Sequence, residues 1–575
     1  MIKEISDGQN HLKGIVEGVR KAANTVAGTL GPLGKTVIID DNNMNSFTPS
    51  KDGFAVAKAI ELADPVENIG AKAVHKVCKH VADVAGDGTT TAAVLFSSMI
   101  QSSANLVMSN QWSRGTANGI DYAIERAIQY LTKQAEHINS NDIKRIAEIA
   151  TISTNNDALL GQLVSEIVSK VGPDGVVSVS DSKSMNTHYT YIDGMKIKQG
   201  FASPHFKTSN EKEVCEMESV KVLVYSGNID TIQKLAKMEA ILKCTAGEPL
   251  MIFCSDMNSE SVLATLVVNN ARGLTKICVS KLPGYGDSKN KMAEDIALFV
   301  GAKFIDESKG MDLSKCVPED LGKANKIIAD ASSTTIIGGQ GSEAEIKARC
   351  HSIENQISEL GNSSEYQRNT LQDRLAGLKG IAAVVHVGGM FEEQQKEIKY
   401  RLEDAIQAAK SAVKHGAIPG GSSSLVRASK HLAEVKNEIL KNPKLDSSEF
   451  PFSYINSENK KVACCDHFIR GIDIVSEALC APLQQILTNA GMHKQWQTII
   501  HSIQTHADDK IGYDVTNMRL VNMYQCGIID PLSSPVEALK VASSVSSMMA
   551  MSHASITHKR EEKESAGHHG MPGMY

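Results

Sequence analysis

Aromatic side chains make up only 5% of this 575-residue chain, and just two residues are Trp. Proteins that hold single-stranded nucleic acid stack its bases on aromatic faces, and a formal net charge of −6 supplies no basic field for a phosphate backbone. Nucleic acid is therefore not an expected partner. The 11 cysteines are an odd number, none stands in a C-x-x-C pair, and Cys464 and Cys465 are adjacent. That pattern fits neither zinc spacing nor a disulfide framework, and suits reduced, buried thiols in the cytoplasm. Met1 to Arg20 has no apolar signal core, and no apolar run reaches the ~18 residues of a membrane span. The chain is expected to be cytoplasmic, with no membrane partner. Neither a Walker A pattern nor a dinucleotide fingerprint occurs, so the common nucleotide-binding folds are not indicated. No compact Ser/His/Asp, Cys/His or zinc-ligand set marks a metabolic active site in the central region.

What is present is 42% hydrophobic and 22% charged, the balance of a globular chain with large cores, long enough for roughly three to five domains. The most informative run is Ala85-Gly86-Asp87-Gly88-Thr89-Thr90-Thr91, which opens the apolar stretch Ala92 to Met108. Glycines let backbone approach a ligand, and hydroxyls and N–H groups at a helix start attract phosphate. A carboxylate in that company repels phosphate unless a metal lies between them, so Asp87 points to a Mg-nucleotide. A plain helix cap with a Thr-rich first turn would read the same way. Two further turns follow the same theme: Thr29-Leu30-Gly31-Pro32-Leu33-Gly34-Lys35 is a Gly/Pro turn, and Ser50-Lys51-Asp52-Gly53 carries both a cation for phosphate and a carboxylate.

The chain has a nested pattern: helices to about residue 135, two shorter helices between Asn139 and Val171, and alternating strands from Gly172 to Lys198. Asp193-Gly194 reads as a hinge. Strand–helix alternation then continues to about Ala383: Val220–Tyr225, Leu250–Cys254 and Lys276–Ser280 are strands. Between them the spacings of Ile229, Ile232, Leu235, Met238 and Ile241, and of Val262, Leu263, Leu266 and Val267, are helical. Glu343 to Leu378 reads as a polar helical hairpin broken near Gly361–Ser364, and Phe391 to His415 as one charged helix. The helical pattern resumes after Gly420-Gly421 and runs to about Ala554. The Gly/His/Met-rich end, with His568 and His569, is too polar to fold. The expected fold is multidomain α and α/β, with the α/β domain inserted into a helical one.

Thr29-Leu30-Gly31-Pro32, Lys51-Asp52-Gly53, Gly86-Asp87-Gly88-Thr89-Thr90-Thr91 and Leu263-Ala264-Thr265-Leu266-Val267-Val268-Asn269 resemble motifs of the group I (GroEL-type) chaperonins. So do Pro283-Gly284-Tyr285-Gly286-Asp287, Arg401-Leu402-Glu403-Asp404-Ala405 and Gly527-Ile528-Ile529-Asp530-Pro531, all in order from about residue 5 to 555. The resemblance implies an equatorial ATP-binding domain (1–135 and 415–555), an intermediate hinge domain (136–192 and 383–414) and an apical client-binding domain (193–382). A disordered tail (556–575) would follow. It implies homo-oligomeric rings of seven, one or two of them. It also implies ATP-driven enclosure of non-native polypeptides, with a lid co-chaperonin as a further partner.

Carried over by motif, the nucleotide site comprises Thr29, Leu30, Gly31, Pro32, Lys51, Gly53, Asp87, Gly88, Thr89, Thr90, Thr91, Ile152, Gly421, Ile528 and Asp530. Asp87 would hold Mg2+, K+ is a candidate second cation, and Asp530 would bond the ribose. Asp52 and Asp404 would be the catalytic pair that polarises the attacking water, Asp404 being swung in by the intermediate domain after ATP binds. By its own charged surroundings Asp404 reads as a solvated helix face. The client surface carried over is Phe201, His205, Phe206, Leu235, Met238, Leu263, Val267 and Val268. By spacing alone these residues read as core.

The chain departs from the family at several places. His205 stands for a Tyr, Ile381 for a hinge Gly, Asp514-Val515 for an adenine-contacting Asn-Ala, and Ser422 breaks a Gly triplet. Gln484 and His493 replace an inter-ring Arg–Glu pair, and 437–462 reads as a longer polar loop (Pro443, Asp446, Glu458), so weaker ring stacking is expected. Two rival readings are a ring scaffold that captures clients with little ATP turnover and a soluble ATP-dependent metabolic enzyme.

Overall fold

The computed structural model describes residues 3–40, 47–112, 114–173, 175–182, 184–209, 213–238, 241–242, 247–257, 259–284, 286–359, 365–389, 391–441, 453–455, 461–463 and 465–558. The polar residues Pro443, Asp446 and Glu458, Tyr285, the break at 361–364, and the tail from 559 with His568 and His569 lie outside them. The chain packs as two units: residues 1–173 with 391–575, and residues 174–390.

The first unit is a helical layer built from both ends of the chain. Helix Gly8–Ala27 lies against Pro65–Ala85 and Thr89–Met108, and Ser533–Ala550 returns onto Thr89–Met108. Asp64 starts Pro65–Ala85 by accepting the Val66 and Glu67 N–H groups at 2.8 and 2.9 Å, with Pro65 in the first turn, where its missing N–H costs nothing. Helix Cys465–Asn489 packs on Arg114–Gln134. Val19, Val74, Val77, Leu95, Phe96, Ile100, Leu131, Leu425, Val475, Leu479 and Leu539 share one core. Thr89–Met108 has the length and apolar composition of a membrane span, contrary to the reading of the sequence. Its Leu95, Phe96, Met99 and Ile100 are buried in that core. Helices Ile143–Ser153, Ala158–Val171 and Glu392–His415 complete the unit.

Three strand pairings correct the helical reading of the ends. Helix Ser533–Ala550 stops short of Ala554, and Ala554–His558 pairs antiparallel with Lys3–Asp7, so residues 556–558 are strand. Ile511–Asp514 and Arg519–Asn522 form a hairpin. The expected loop from 437 begins as helix, Ser423–Lys441, and Ser453–Ile455 pairs with Lys461–Ala463.

The second unit is a mixed sheet of eight strands. In sheet order they are Val176–Asp181, Ile381–Val387, His188–Ile197, Thr334–Gly339, Gly322–Ala329, Cys215–Val224, Pro249–Cys254 and Lys276–Lys281. The last three are parallel. Val222, Leu223 and Val224, and Leu250 to Cys254, are fully buried on both faces, as parallel strands covered by helices are. The polar hairpin exists as Glu343–Glu359 and Glu365–Leu378. Arg374 anchors it by donating to Asp295 at 2.6 and 3.0 Å, and Arg349 adds 2.8 Å bonds to Asp295 and Glu294. Asp193-Gly194 is not a free hinge here. Asp193 pairs with Ile381 and Gly194 with Ile337 inside the sheet, because two long strands hold the glycine from either side. The expected boundaries at 192 and 383 fall within those strands.

Candidate functional site

Gly88, left-handed at φ 88°, starts helix Thr89–Met108 without a side-chain cap. The N–H groups of Thr89, Thr90 and Thr91 belong to the first turn, which has no carbonyl partner within its own helix. Three other segments converge on this end. Thr29 donates to the Val26 carbonyl at 2.8 Å and meets the Thr90 hydroxyl at 3.3 Å. Asn489 holds the turn from Gly28 to Lys35 by bonding the Ala27 and Leu30 carbonyls, each at 2.9 Å, with Gly31 beside Ile486. Pro32 is exposed and Leu30 half-buried. Asp52 caps helix Gly53–Ala59 by accepting from Phe54 at 3.0 Å and Ala55 at 2.9 Å. A Cβ on Gly53 would collide with the Thr90 hydroxyl, so glycine is what lets these turns touch. Lys51 is half-buried next to the cap.

Asp87 sits at the centre. Its carboxylate accepts from the Gly88 N–H at 2.5 Å and the Ser153 hydroxyl at 2.7 Å, and its carbonyl accepts from Ser534 at 3.0 Å. Ser153 is the neighbour of the expected Ile152 at the end of helix Ile143–Ser153. Asp404 arrives on Glu392–His415, whose Gln407 fills the space a Cβ on Gly86 would need. Asp530 lies on Ile529–Pro531, paired opposite Ile418. The Gly421 N–H bonds its carboxylate, and Gly420 donates to the Ile528 carbonyl at 2.9 Å.

Electrostatics binds the four carboxyls into one group. Burial pushes Asp404 well above the usual carboxylate range, and the nearby Asp52, Asp87 and Glu403 push it further. Burial raises Asp530 to about 7, with Asp87 adding to the shift and the Gly421 N–H opposing it. Asp52 is raised by burial and by Asp87 against its two cap bonds. Asp87 is raised by burial against its bonds from Ser153 and Gly88. Asp404 is thus enclosed rather than on the solvated face its charged neighbours suggested. No Lys or Arg pairs with any of the four among the described residues. Nor, among those residues, do three His, Cys, Asp or Glu side chains form a metal cage. An acidic pocket beside open N–H groups fits a cation whose remaining ligands are phosphate oxygens, as Mg2+ prefers. Reading the sequence missed Ser153, Ser534 and Asn489. Ser153 was flagged only by its place beside Ile152, and Asn489 carried no signal.

The apolar residues expected at a client surface separate into two sets. Phe201, Phe206, Leu235 and Met238 are in the core of the second unit, with Met238 fully buried. This corrects their expected exposure: they fill the space between the sheet and the segments that carry them. Leu263 and Val267 are half-buried, while His205 and Val268 are exposed. Ile232, one turn before Leu235 on helix Ile232–Lys237, is 58% exposed. That helix packs beside Glu260–Ala271, and Ile232 and Val268 are both exposed.

Residues 22–556 match the model of the TCP-1/cpn60 chaperonin family. Two crystal structures of the chaperonin gp146 from the bacteriophage EL 2 (Pseudomonas aeruginosa), both determined in the presence of ATP-BeFx, share the fold. Each covers 97% of this chain and 99% of gp146, with TM-scores of 0.66 and 0.60 at 20% and 21% identity. The chain belongs to the TCP-1/cpn60 chaperonin family.

Proposed function

We propose that this chaperonin binds and hydrolyses ATP and uses the cycle to capture and enclose non-native polypeptides in the cytoplasm. The observation that carries the reading is the convergence of Asp52, Asp404 and Asp530 on Asp87 at the open start of helix Thr89–Met108. The determination of gp146 in the presence of ATP-BeFx supports a nucleotide as the ligand.

The N–H groups and hydroxyls of Thr89, Thr90 and Thr91, with Thr29, would bind phosphate, and the turn Leu30-Gly31-Pro32 with Lys51 and Gly53 would frame it. Asp87 would hold Mg2+, which when bound neutralises phosphate charge, with K+ as a second cation. Asp52 and Asp404 would orient the attacking water and take up its proton; burial keeps both basic enough for that task. Asp530, with Gly421 and Ile528, would hold the sugar. Phosphate release separates this reading from a scaffold with little turnover. Asp404→Ala is expected to fall roughly a hundredfold below the parent, and equal rates would sink the ATPase.

Clients would bind Ile232, Leu263, Val267 and Val268, joined by Phe201, Phe206, Leu235 and Met238 only when their segments move. Homo-oligomeric rings of seven, one or two of them, are part of the proposal, with a lid co-chaperonin as a further partner. Ile5 and Ile556 are paired and both exposed on a two-stranded ribbon, and Ile38, opposite Pro49, and Phe47, opposite Asp40, are exposed on the ribbon Val37–Asp40 with Phe47–Ser50. Each ribbon packs on helices of its own unit and leaves these apolar side chains uncovered, and a neighbouring copy would cover them. Light scattering tests this: the ring predicts seven or fourteen times the 61.9 kDa chain, and one or two chains would reject it.

A further inference from the structure

One helix of the first unit touches both sides of the acidic site. Ser153, the last residue of Ile143–Ser153, holds the Asp87 carboxylate. Arg145, in the first turn, reaches a different segment. Its Nη1 donates to the Tyr524 carbonyl at 2.5 Å and to the Glu148 carboxylate at 2.7 Å. The two contacts are about 12 Å apart along the helix axis. Asp142 fixes the helix start by accepting the Arg145 backbone N–H at 3.2 Å. An exposed ion pair within one helix contributes little, but Arg145 and Glu148 are 31% and 18% exposed, and the bond to Tyr524 crosses to a distant part of the chain. Gly527, left-handed at φ 70°, lets the turn after Tyr524 settle on the Glu148 side chain, which a Cβ there would meet.

Tyr524 is gripped at three points. Its carbonyl takes the Arg145 bond, its buried ring lies 5.7 Å from the Arg145 guanidinium and 5.2 Å from the Lys510 ammonium, and its hydroxyl donates to the Ala417 carbonyl at 2.6 Å. Both strands around Asp530 start from these contacts. The Tyr524 carbonyl also accepts from Gly527 at 3.4 Å, and the Met523 carbonyl accepts from Ile528 at 2.9 Å, which closes the turn leading into Ile529–Pro531. Ala417 begins the partner strand Ala417–Pro419, which sets Ile418 opposite Asp530. One side chain, Tyr524, therefore fixes the strand that carries Asp530 and the strand that flanks it, and Arg145 fixes Tyr524.

We propose that Arg145 is a positioning residue for the nucleotide sugar: through Tyr524 it sets Asp530 against the ribose, while Ser153 on the same helix sets Asp87 against metal and phosphate. The assignment rests on the sugar role of Asp530 proposed above. Removing the guanidinium frees the Tyr524 carbonyl and one face of its ring but leaves the Ser153–Asp87 bond in place. The loss therefore falls on contacts to the ribose hydroxyls and spares those to phosphate. Removing the Tyr524 hydroxyl loosens the partner strand from the other side and acts in the same direction.

The test measures binding of ATP and of 2′,3′-dideoxy-ATP, which lacks both ribose hydroxyls, to the full-length protein with Mg2+. The readout is the ratio of the two affinities, which a purely structural defect would not move. The parent should favour ATP by roughly tenfold or more, the worth of a hydrogen bond to a charged group. Asp530→Ala should abolish that preference. Arg145→Ala and, separately, Tyr524→Phe should leave roughly threefold or less of it, by weakening ATP and sparing the dideoxy analogue. Ser153→Ala should weaken both nucleotides alike and keep the ratio. If Asp530→Ala loses the preference while Arg145→Ala and Tyr524→Phe keep it, or weaken both nucleotides equally, the Arg145 assignment is overturned and the sugar reading stands. A parent without preference, or an Asp530→Ala variant that retains it, removes the sugar reading and this assignment together. Thermal unfolding establishes that each variant is folded; if Arg145→Ala is not, Tyr524→Phe decides.

Discussion

The Ser153 hydroxyl donates to the Asp87 carboxylate at 2.7 Å, tying the end of one helix to the start of another. It opposes the upward push of burial on Asp87. In Ser153→Ala that opposition is lost, and Asp87 keeps its proton to higher pH. The acid limb of Mg-nucleotide binding should therefore move to higher pH. Affinity at neutral pH should fall by roughly tenfold or more, the worth of a hydrogen bond to a charged group. Titrating a fluorescent nucleotide against pH measures both. An unchanged profile would remove Ser153 from the site.

Asp530 makes stability without nucleotide depend on pH. Its folded-state value of about 7 lies above that of an unfolded carboxyl, so the folded state binds the proton more tightly. The stabilisation is present at acid pH and is lost as pH rises from about 4 through about 7. Asp530→Asn should flatten the fall of Tm over that window and stabilise the empty protein at pH 7 by up to about 4 kcal/mol. Thermal unfolding across the pH series decides this; a parallel curve for the variant contradicts it.

Arg374 and Asp295 are both nearly inaccessible, at 4% and 5% side-chain exposure. Removing Arg374 leaves the buried Asp295 carboxylate with only the partly exposed Arg349 to oppose its charge. Arg374→Ala should cost about 3–5 kcal/mol. Lys347→Ala breaks a pair whose partners are 69% and 76% exposed and should cost at most ~1 kcal/mol. Denaturant unfolding of the two variants should separate them clearly.

The two apolar sets predict opposite phenotypes. Val268→Asp and Ile232→Asp change exposed positions. They should leave Tm nearly unchanged while weakening capture of an unfolded protein by roughly tenfold, the scale of one lost apolar side chain. Met238→Asp buries a charge and should unfold the second unit before capture can be measured. Capture and Tm measured on the same preparations check the division.

Much of the local structure was legible. The helical reading of the first residues became Gly8–Ala27, and Asn139 to Val171 became Ile143–Ser153 and Ala158–Val171. Leu250–Cys254 became the buried strand Pro249–Cys254. These follow from periodicity and caps within one turn or one strand. Strands Gly322–Ala329 and Thr334–Gly339 were not read, because Ala, Gly and Lys dilute their apolar pattern. Ala554–His558 looked like tail because a strand whose partner lies at the other end of the chain carries no local signal of pairing.

By itself the sequence determined the Gly-rich turn at Asp87, the start of helix Thr89–Met108 and the nested order of helical and α/β segments. All of these depend on neighbours along the chain. Only the tertiary structure decided that Asp404 and Asp530 join Asp87, that Ser153 is its partner, and that Met238 is buried while Ile232 is exposed. The physical reason is that carboxyls far apart in sequence shift one another only when packing brings them close and removes their water. An apolar stripe, likewise, is compatible with core or surface until a neighbouring element covers it.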